Sequence, residues 1–507
     1  MNHLMVLPIV IPALVAALSL IGMRRRLWIG RAMAMASCLS LLATALLLFA
    51  EASGGDIFAY MVGDWAPQIG IVLVLDRLSA MMLVLVALLA TLVLGHVIAT
   101  GLDRRGWHFH PLFQFQLLGL NGAFLTGDLF NLFVFFEVLL IASYGLLLHG
   151  QGPERLRAGV HYVVVNLVGS TLFLVAVGIL YGTLGSLNMA DMAVRIAAAP
   201  AEDQGLIRAG AQLLILVFAL KAALLPLHLW LPIAYAGASA PVAALFAIMT
   251  KVGAYAILRL TVLVFGADAG AAAWAPAGWL LPAALLTAVL GYSGVLASDR
   301  LRGLAAFAVL GSTGTLMIAL ALFTPDATAA ALYYLFHTVL AGAALFLVAD
   351  LVARRRPDMD DTIASGRRFS GMEGTSLLFF LAALGAIGLP PLSGFVGKLL
   401  ILDAAAPHAW MGAIWTVILS TTFLAVLGFA RSGSLLFWKS SEQAQGPDRP
   451  AESALTYAPA AALLVLLAVL SVLAGPASRY TAATASQLYA PAGYIQAVLG
   501  PAAGAPR

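Results

Sequence analysis

Charge is what this sequence has least of. Asp, Glu, Lys and Arg make up 10% of its 507 residues, while 62% are hydrophobic. A soluble domain carries about a quarter charged residues, so a soluble globular fold is excluded. Cysteine is nearly absent too. The single Cys38 lies inside an apolar run, which rules out an internal disulfide and a cysteine-based metal site and leaves it as a small packing residue. Lysine is the third scarcity, with 4 lysines against 23 arginines. No nucleophile elbow, P-loop, dinucleotide fingerprint or metal-ligand spacing occurs. Neither nucleotide-driven work nor a bound cofactor or metal is therefore expected. The net charge of +4 does not point to nucleic acid, because the arginines fall in short loops rather than along one groove.

What the chain has in abundance is long apolar runs, each able to cross about 30 Å of hydrocarbon at about 1.5 Å per residue. The runs are continuous rather than alternating, which disfavours a barrel and predicts an all-α integral membrane protein. The first run, Met5–Met23, lacks a cationic leader and is followed by Arg24, Arg25 and Arg26 and another span, so it reads as retained. Fourteen spans are expected: 4–22, 29–50, 77–100, 110–126, 128–149, 158–183, 206–235, 240–266, 276–297, 302–323, 327–350, 374–403, 410–438 and 454–475.

Basic residues give the orientation. The loops after odd-numbered spans hold 18 of the 27, from Arg24 through Arg31, Arg104, Arg105, Arg155, Arg300, Arg302, Arg354–Arg356 and Arg431 to Arg449. The other side holds 5: Arg77, Arg195, Arg208, Arg479 and Arg507. Basic loops stay in the cytoplasm, so both termini are expected on the extracytoplasmic side. Two long spans contain interior proline: 206–235 at Pro226 and Pro232, and 374–403 at Pro390 and Pro391. Proline removes a helix hydrogen bond, and such a break survives in a membrane only where protein or water satisfies the freed carbonyls. These are the seventh and twelfth spans, one starting outside and the other inside. The expected organisation is thus an N-terminal unit (1–100), two five-helix repeats of inverted topology (110–266 and 276–438) and a last span with a tail (454–507). Broken helices at matching places in two halves point to a transport site.

Within these spans lie the residues that carry the chemistry. "LFNLFVFFEVLLIASYGLLL" places Glu137 near mid-span, and three of the four lysines, Lys221, Lys251 and Lys398, are also inside spans. Arginine remains charged, whereas a buried lysine can become a neutral amine. Reserving lysine for the bilayer therefore suggests proton exchange. An acid about 4 Å from a lysine would stabilise the ammonium by roughly 4 kcal/mol at an effective dielectric near 20, and Lys221 is the expected partner of Glu137. A static buried ion pair is the competing reading, but an intramembrane ion is functional by default. His337, mid-span in "ALYYLFHTVLAGA", titrates near neutrality when unperturbed. The ordered set Glu137, Lys221, Lys251, His337 and Lys398 reads as a proton relay along the bundle midplane. His228, with Pro226, Pro390 and Pro391, is a candidate gate. His149 and His161 read as interfacial, Arg259 as structural, and Asp76, Arg77 and Asp128 as easily solvated at span starts.

Three segments, "LKAALLPLHLWLPIAYAGASAPVAALFAIMTKVGAYAILRL", "SDRLRGLAAFAVLGSTG" and "GAIGLPPLSGFVGKLLIL", resemble the proton-translocating antiporter-like family. That family includes the large membrane subunits of respiratory complex I and the Mrp-type cation/proton antiporters. The resemblance implies fourteen helices with inverted repeats, broken helices seven and twelve, and a glutamate–lysine pair, with Glu137, Lys221, Lys251, His337 and Lys398 on the matching positions. The chain looks most like the D-type subunits of Mrp antiporters, from "NLFVFFEVLLIASYGLLLHG", "TKVGAYAILR", the lysine at 398 and the short C-terminus. It departs at "DRLRGLAAF", where the family often has a lysine-bearing loop. The resemblance further implies a secondary transporter subunit rather than an enzyme, exchanging Na⁺ (or Li⁺ or K⁺) for protons in the bacterial inner membrane with A-, B-, C-, E-, F- and G-type partner subunits. A pumping subunit of complex I or a membrane-bound hydrogenase is the alternative, and a non-conducting scaffold the third. Few intramembrane carboxylates are available for a Na⁺ cage, since a hard cation takes several oxygen ligands.

Overall fold

The structure, a computed structural model, describes residues 2–22, 26–441 and 452–500. Of the basic residues used for orientation, Arg24, Arg25, Arg449 and Arg507 lie outside the described residues. With no water available in hydrocarbon, a spanning segment must satisfy its own backbone, and the helix does so locally. The apolar runs accordingly form helices: α1 (Leu7–Gly22), α2 (Leu27–Ala52), α3 (Arg77–Thr100), α4 (Phe109–Leu125), α5 (Leu129–Leu148) and α6 (Pro153–Leu184). After a short amphipathic α7 (Met189–Ala197), the seventh span is split into α8 (Gln204–Lys221) and α9 (Trp230–Gly237). The next comprises α10 (Ala240–Phe246) and α11 (Met249–Leu263), then come α12 (Leu280–Ala297), α13 (Leu301–Leu320) and the long α14 (Pro325–Arg355). The second split span is α15 (Met372–Ile387) with α16 (Ser393–Ala404), followed by α17 (Met411–Gly433) and α18 (Ala454–Val472).

Among the described residues, twelve of these stretches are long and apolar enough to cross a membrane. The two further spans expected from the sequence are shorter: α4 has 17 residues, and the proline-broken span is divided into pieces of 16 and 12. Both expected breaks are present, with residues 222–229 and 388–392 outside any helix. A third interruption, at Ala247 and Ile248 between α10 and α11, was not expected, because neither residue is proline or glycine.

Burial sorts the helices by position. α11, α13 and α14 are enclosed almost all round, whereas α1, α2, α6, α17 and α18 expose large apolar side chains such as Leu14, Leu47, Leu167, Phe423 and Val465. An apolar belt of that extent is what a bilayer covers. The chain is a multi-pass membrane protein. Inside, small residues let backbones approach, as is usual between helices in lipid. A Cβ added at Gly291 of α12 would lie 2.2 Å from the Gly311 nitrogen of α13, and one at Gly314 would lie 2.3 Å from Ala288.

Two features lie outside the span pattern. The loop before α3 forms a hairpin, β1 (Phe58–Met61) with β2 (Val72–Leu75), antiparallel with Phe58 opposite Leu75. The segment expected to be a tail instead folds into α19 (Ala474–Leu488) and α20 (Pro491–Leu499), apart from 501–507, which lie outside the described residues. These helices stitch the hairpin to the bundle. Gln487 accepts from the Arg77 nitrogen at 3.1 Å and donates to the Gly55 carbonyl at 2.8 Å, and the Tyr480 hydroxyl donates to the Arg77 carbonyl at 3.0 Å.

Candidate functional site

On α5, Phe136, Leu139 and Leu140 turn inward, leaving Glu137 half-buried on the flank that meets α6. There α6 presents Asn166 and Ser170, four residues apart and hence on one face. The Ser170 hydroxyl donates a very short hydrogen bond to Glu137 Oε1. From the other side comes Lys221, the last residue of α8 before its break and only 4% exposed. Its Nζ lies 3.3 Å from Asn166 Oδ1, 3.4 Å from the Asn166 carbonyl and 3.5 Å from Ser170 Oγ. Glu137 and its expected partner Lys221 are two hydrogen bonds apart, joined through Ser170 of α6, which stands between their helices. Gly169 permits this, since a Cβ there would lie 2.9 Å from Leu220. A hydroxyl can donate once while accepting twice, so Ser170 joins ammonium to carboxylate.

Lys251 is fully buried on α11, three residues past the unexpected interruption. Its Nζ donates to Thr313 Oγ1 at 3.1 Å and Thr250 Oγ1 at 3.2 Å. Thr313 spends its own proton on the Val309 carbonyl, which leaves its oxygen free to accept. Two residues along, Gly253 rests on the end of α8: a Cβ there would lie 2.7 Å from the Ala222 nitrogen. The helices of Lys251 and Lys221 thus meet backbone to backbone.

His337, 2% exposed on α14, places Nδ1 3.0 Å from Ser393 Oγ at the start of α16. Beside it is a cavity of about 10 Å³ lined by Ser312, Tyr334, Thr338 and Gly342, roughly the space of one water. Lys398 follows on α16. Its Nζ donates to the Ile387 carbonyl at 2.8 Å, one of those freed where α15 ends, and to Thr422 Oγ1 on α17 at 2.7 Å. Among the described residues, none of the three lysines has a carboxylate within the 4.0 Å of an ion pair. Each is held by hydroxyl, amide or carbonyl oxygens, and loss of its proton would leave those contacts with no charge to balance.

The gate candidates fall in the two non-helical segments. Pro226 and Pro391 follow cis peptide bonds. The Leu225 nitrogen before Pro226 donates to Thr287 at 2.8 Å, and the Pro391 carbonyl accepts from Ser471 at 2.6 Å. His228 is 8% exposed, and its Nδ1 has no hydrogen-bond partner among the described residues; none of its hydrogen bonds reaches the five relay candidates.

Other expectations need correction. Asp76 is not solvated: it is 1% exposed, caps α3 through the Ser79 nitrogen and takes both guanidinium arms of Arg259, at 2.5 and 2.9 Å. Arg259 is the structural residue expected, its guanidinium sandwiched between Tyr255 and Tyr494. His149, at the end of α5, is buried and reaches the Leu102 carbonyl at 3.2 Å, and His161 is half-buried with an unpartnered Nε2 among the described residues. Some loop arginines that signalled orientation are also clasps: Arg300 and Arg302 hold Asp360 and Asp361 at 2.6–3.0 Å. Burial would push the Asp361 carboxyl up, but Arg302 and Arg300 outweigh it and hold it at about 2. Sequence reading missed every neutral partner of the relay candidates: Asn166, Ser170, Thr250, Thr313, Ser393 and Thr422. The i, i+4 spacing of Asn166 and Ser170 inside an apolar run was the one signal available.

Three buried amines on interrupted helices and a buried imidazole on the continuous α14 lie inside one bundle of membrane-spanning helices, so the class to compare is the polytopic membrane protein with ionisable groups in its interior. Residues 126–427 match the family described as NADH:quinone oxidoreductase/Mrp antiporter, TM, and the chain belongs to that family. It is 41% identical to a probable D-type subunit of a K(+)/H(+) antiporter from Rhizobium meliloti (strain 1021), with 98% of each chain covered. It is 34% identical to the D-type subunit of a Na(+)/H(+) antiporter from Alkalihalophilus pseudofirmus, covering 98% of this chain and 100% of that one. Among solved structures, a chain of the Mrp complex from Dietzia sp. DQ12-45-1b superposes with a TM-score of 0.87 at 28% identity, over 99% of this chain and 100% of that one.

Proposed function

We propose that this chain is the proton-conducting subunit of a multisubunit monovalent cation/proton antiporter. The observation that carries the reading is the placement of Lys221, Lys251 and Lys398 in the protein interior with neutral oxygen partners only, Glu137 being one hydroxyl away from the first. An amine so placed can hold or release a proton, because desolvation opposes its charge. In the proposed sequence, a proton on Lys221 leaves as Glu137 is neutralised or withdrawn, passes to Lys251 across the contact of α8 with α11, and proceeds by His337 to Lys398. The breaks at Pro226 and at Pro390–Pro391, with His228, are the proposed gates. Residues 110–266 and 276–438 are taken as the two inverted repeats, flanked by 1–100 and by 454–507.

The relatives' names carry Na⁺ and K⁺; Na⁺ is the cation proposed, crossing where a partner subunit supplies the oxygen ligands this interior lacks. Partners are the A-, B-, C-, E-, F- and G-type subunits. The site is the bacterial inner membrane, with both termini outside and the basic loops in the cytoplasm. The second reading, a pumping subunit of a redox complex, is favoured by the breadth of the family description and by chains of respiratory membrane complexes that superpose on this one. Iron–sulfur and flavin partners on co-purification would select it.

The test is cation-induced dequenching of a pH dye in inverted vesicles holding the whole complex. Lys221→Ala and Lys251→Ala are expected to abolish exchange with Na⁺ and with K⁺ while the chain still inserts and assembles. Full exchange in both variants would overturn the reading.

A further inference from the structure

Lys221 is the residue before the first break and Lys398 lies six residues past the second, and their surroundings differ in one respect. Lys221 has an acid one hydroxyl away, whereas Lys398 has no carboxylate within 4.0 Å among the described residues. The groups facing Lys398 come from four other helices. α15 offers the Ile387 carbonyl, α17 the Thr422 hydroxyl, and α14 the titratable His337 and Tyr334; α12 offers Tyr292, whose ring lies under the ammonium with Nζ 5.2 Å from its centroid. On its own helix the nearest acid, Asp403, is exposed five residues away. The carbonyl and the hydroxyl are neutral dipoles, no carboxylate is among these groups, and Tyr292 adds the negative face of its π system.

The ring is held in place. Tyr292 is fully buried, and a Cβ at Gly311 of α13 would lie 2.8 Å from it, so the ring is wedged against that helix. Its hydroxyl is another matter. Thr315 and Tyr334 are its neighbours, but Tyr292 Oη makes no hydrogen bond of good geometry among the described residues. With Nζ 5.2 Å from its centroid, the ring is the part of Tyr292 that meets Lys398.

We infer that Tyr292 is a positioning residue whose ring face stands in for a counter-ion, holding the ammonium form of Lys398 where Lys221 relies on Glu137. The inference rests on the proposed relay role of Lys398 and adds a component to it. An arene attracts an ammonium without accepting its proton. The proton on Lys398 therefore passes to a group other than the ring, and the charge need not separate from a carboxylate as it leaves.

The test uses the intact complex in inverted vesicles and reads exchange against pH. At position 292, Phe keeps the face and drops the hydroxyl, Leu drops both, and mono-, di- and trifluorinated phenylalanines inserted by nonsense suppression weaken the face stepwise at nearly constant shape. Tyr292→Phe is expected to keep the wild-type profile within about twofold. The fluorinated series and Tyr292→Leu are expected to move the alkaline limb progressively to lower pH, by up to about one unit, a tenfold change in the ammonium/amine balance. The fluorinated series avoids reliance on a leucine variant that fails to assemble. An unshifted fluorinated series, or loss of exchange in Tyr292→Phe, overturns the inference. If Lys398→Ala exchanges normally, the relay role of Lys398 fails and takes the inference with it. If Lys398→Ala is inactive while the fluorinated series stays flat, the inference alone fails.

Discussion

Ser170 is the sharpest place to perturb this protein, because it separates two effects that a glutamate–lysine pair would merge. Its hydroxyl donates to Glu137 and accepts from Lys221 at 3.5 Å, and it is buried. Two hydrogen bonds in series put the charges roughly 6 Å apart. At an effective dielectric near 20 they interact by about 2.8 kcal/mol, roughly 100-fold in the ammonium/amine balance of Lys221. Ser170→Ala leaves that through-space attraction nearly intact but removes the bridging oxygen. A hydrogen bond to a charged group is worth about 1.5–3 kcal/mol, so a step that needs the bridge should slow roughly 10- to 150-fold. Glu137→Gln does the opposite: it keeps a partner for Ser170 and deletes the charge, so the pH profile should move toward acid by up to about two units. Ser170→Thr, which retains a hydroxyl, should recover most of the rate. The assay is cation-induced dye dequenching in inverted vesicles across a pH series, normalised to assembled complex. If Ser170→Ala exchanges at the wild-type rate, the bridge carries nothing. If Glu137→Gln leaves the profile unmoved, the electrostatic coupling is absent, whatever the geometry.

Two further expectations concern stability. Asp76→Asn keeps the cap on α3 but leaves buried Arg259 without a counter-charge, and should cost about 3–5 kcal/mol, read from the midpoint of SDS unfolding; a loss below about 1 kcal/mol would mean that the pair is not desolvated. Asp103, in the loop after α3, accepts from Arg31 at 2.7 Å and from His110 at 3.0 Å; burial alone would raise its carboxyl, but these partners outweigh burial and hold it at about 2. Because that is below the unfolded value of about 3.9, its contribution is present at neutral pH and is lost as pH falls from about 4 through 2. The acid limb of thermal stability should accordingly be shallower in Asp103→Asn than in the wild type.

The relay candidates were legible before any fold was known because ionising a group in hydrocarbon is costly wherever the group sits on its helix. Glu137, Lys221, Lys251, His337 and Lys398 are conspicuous in an apolar run for a reason that needs no tertiary information. The same holds for the breaks at Pro226 and Pro390–Pro391, since a missing backbone donor is a local property. The interruption before Lys251 has no such mark, and α19 and α20, of 15 and 9 residues, are too short to register as spans.

Composition and order along the chain thus determined that this is a helical membrane bundle, where its proline breaks fall, and which ionisable groups sit in its apolar runs. Tertiary packing decided what those groups meet. Helix rotation, set by glycine contacts such as Gly169 against Leu220 and Gly253 against Ala222, put Ser170 between Glu137 and Lys221, Thr313 beside Lys251, and a tyrosine ring rather than an acid under Lys398. It also joined Asp76 to Arg259 across 183 residues. The reason is physical: desolvation acts on one residue and can be read one residue at a time, whereas a hydrogen bond or an ion pair depends on the relative rotation of two helices, and only the packed bundle sets that.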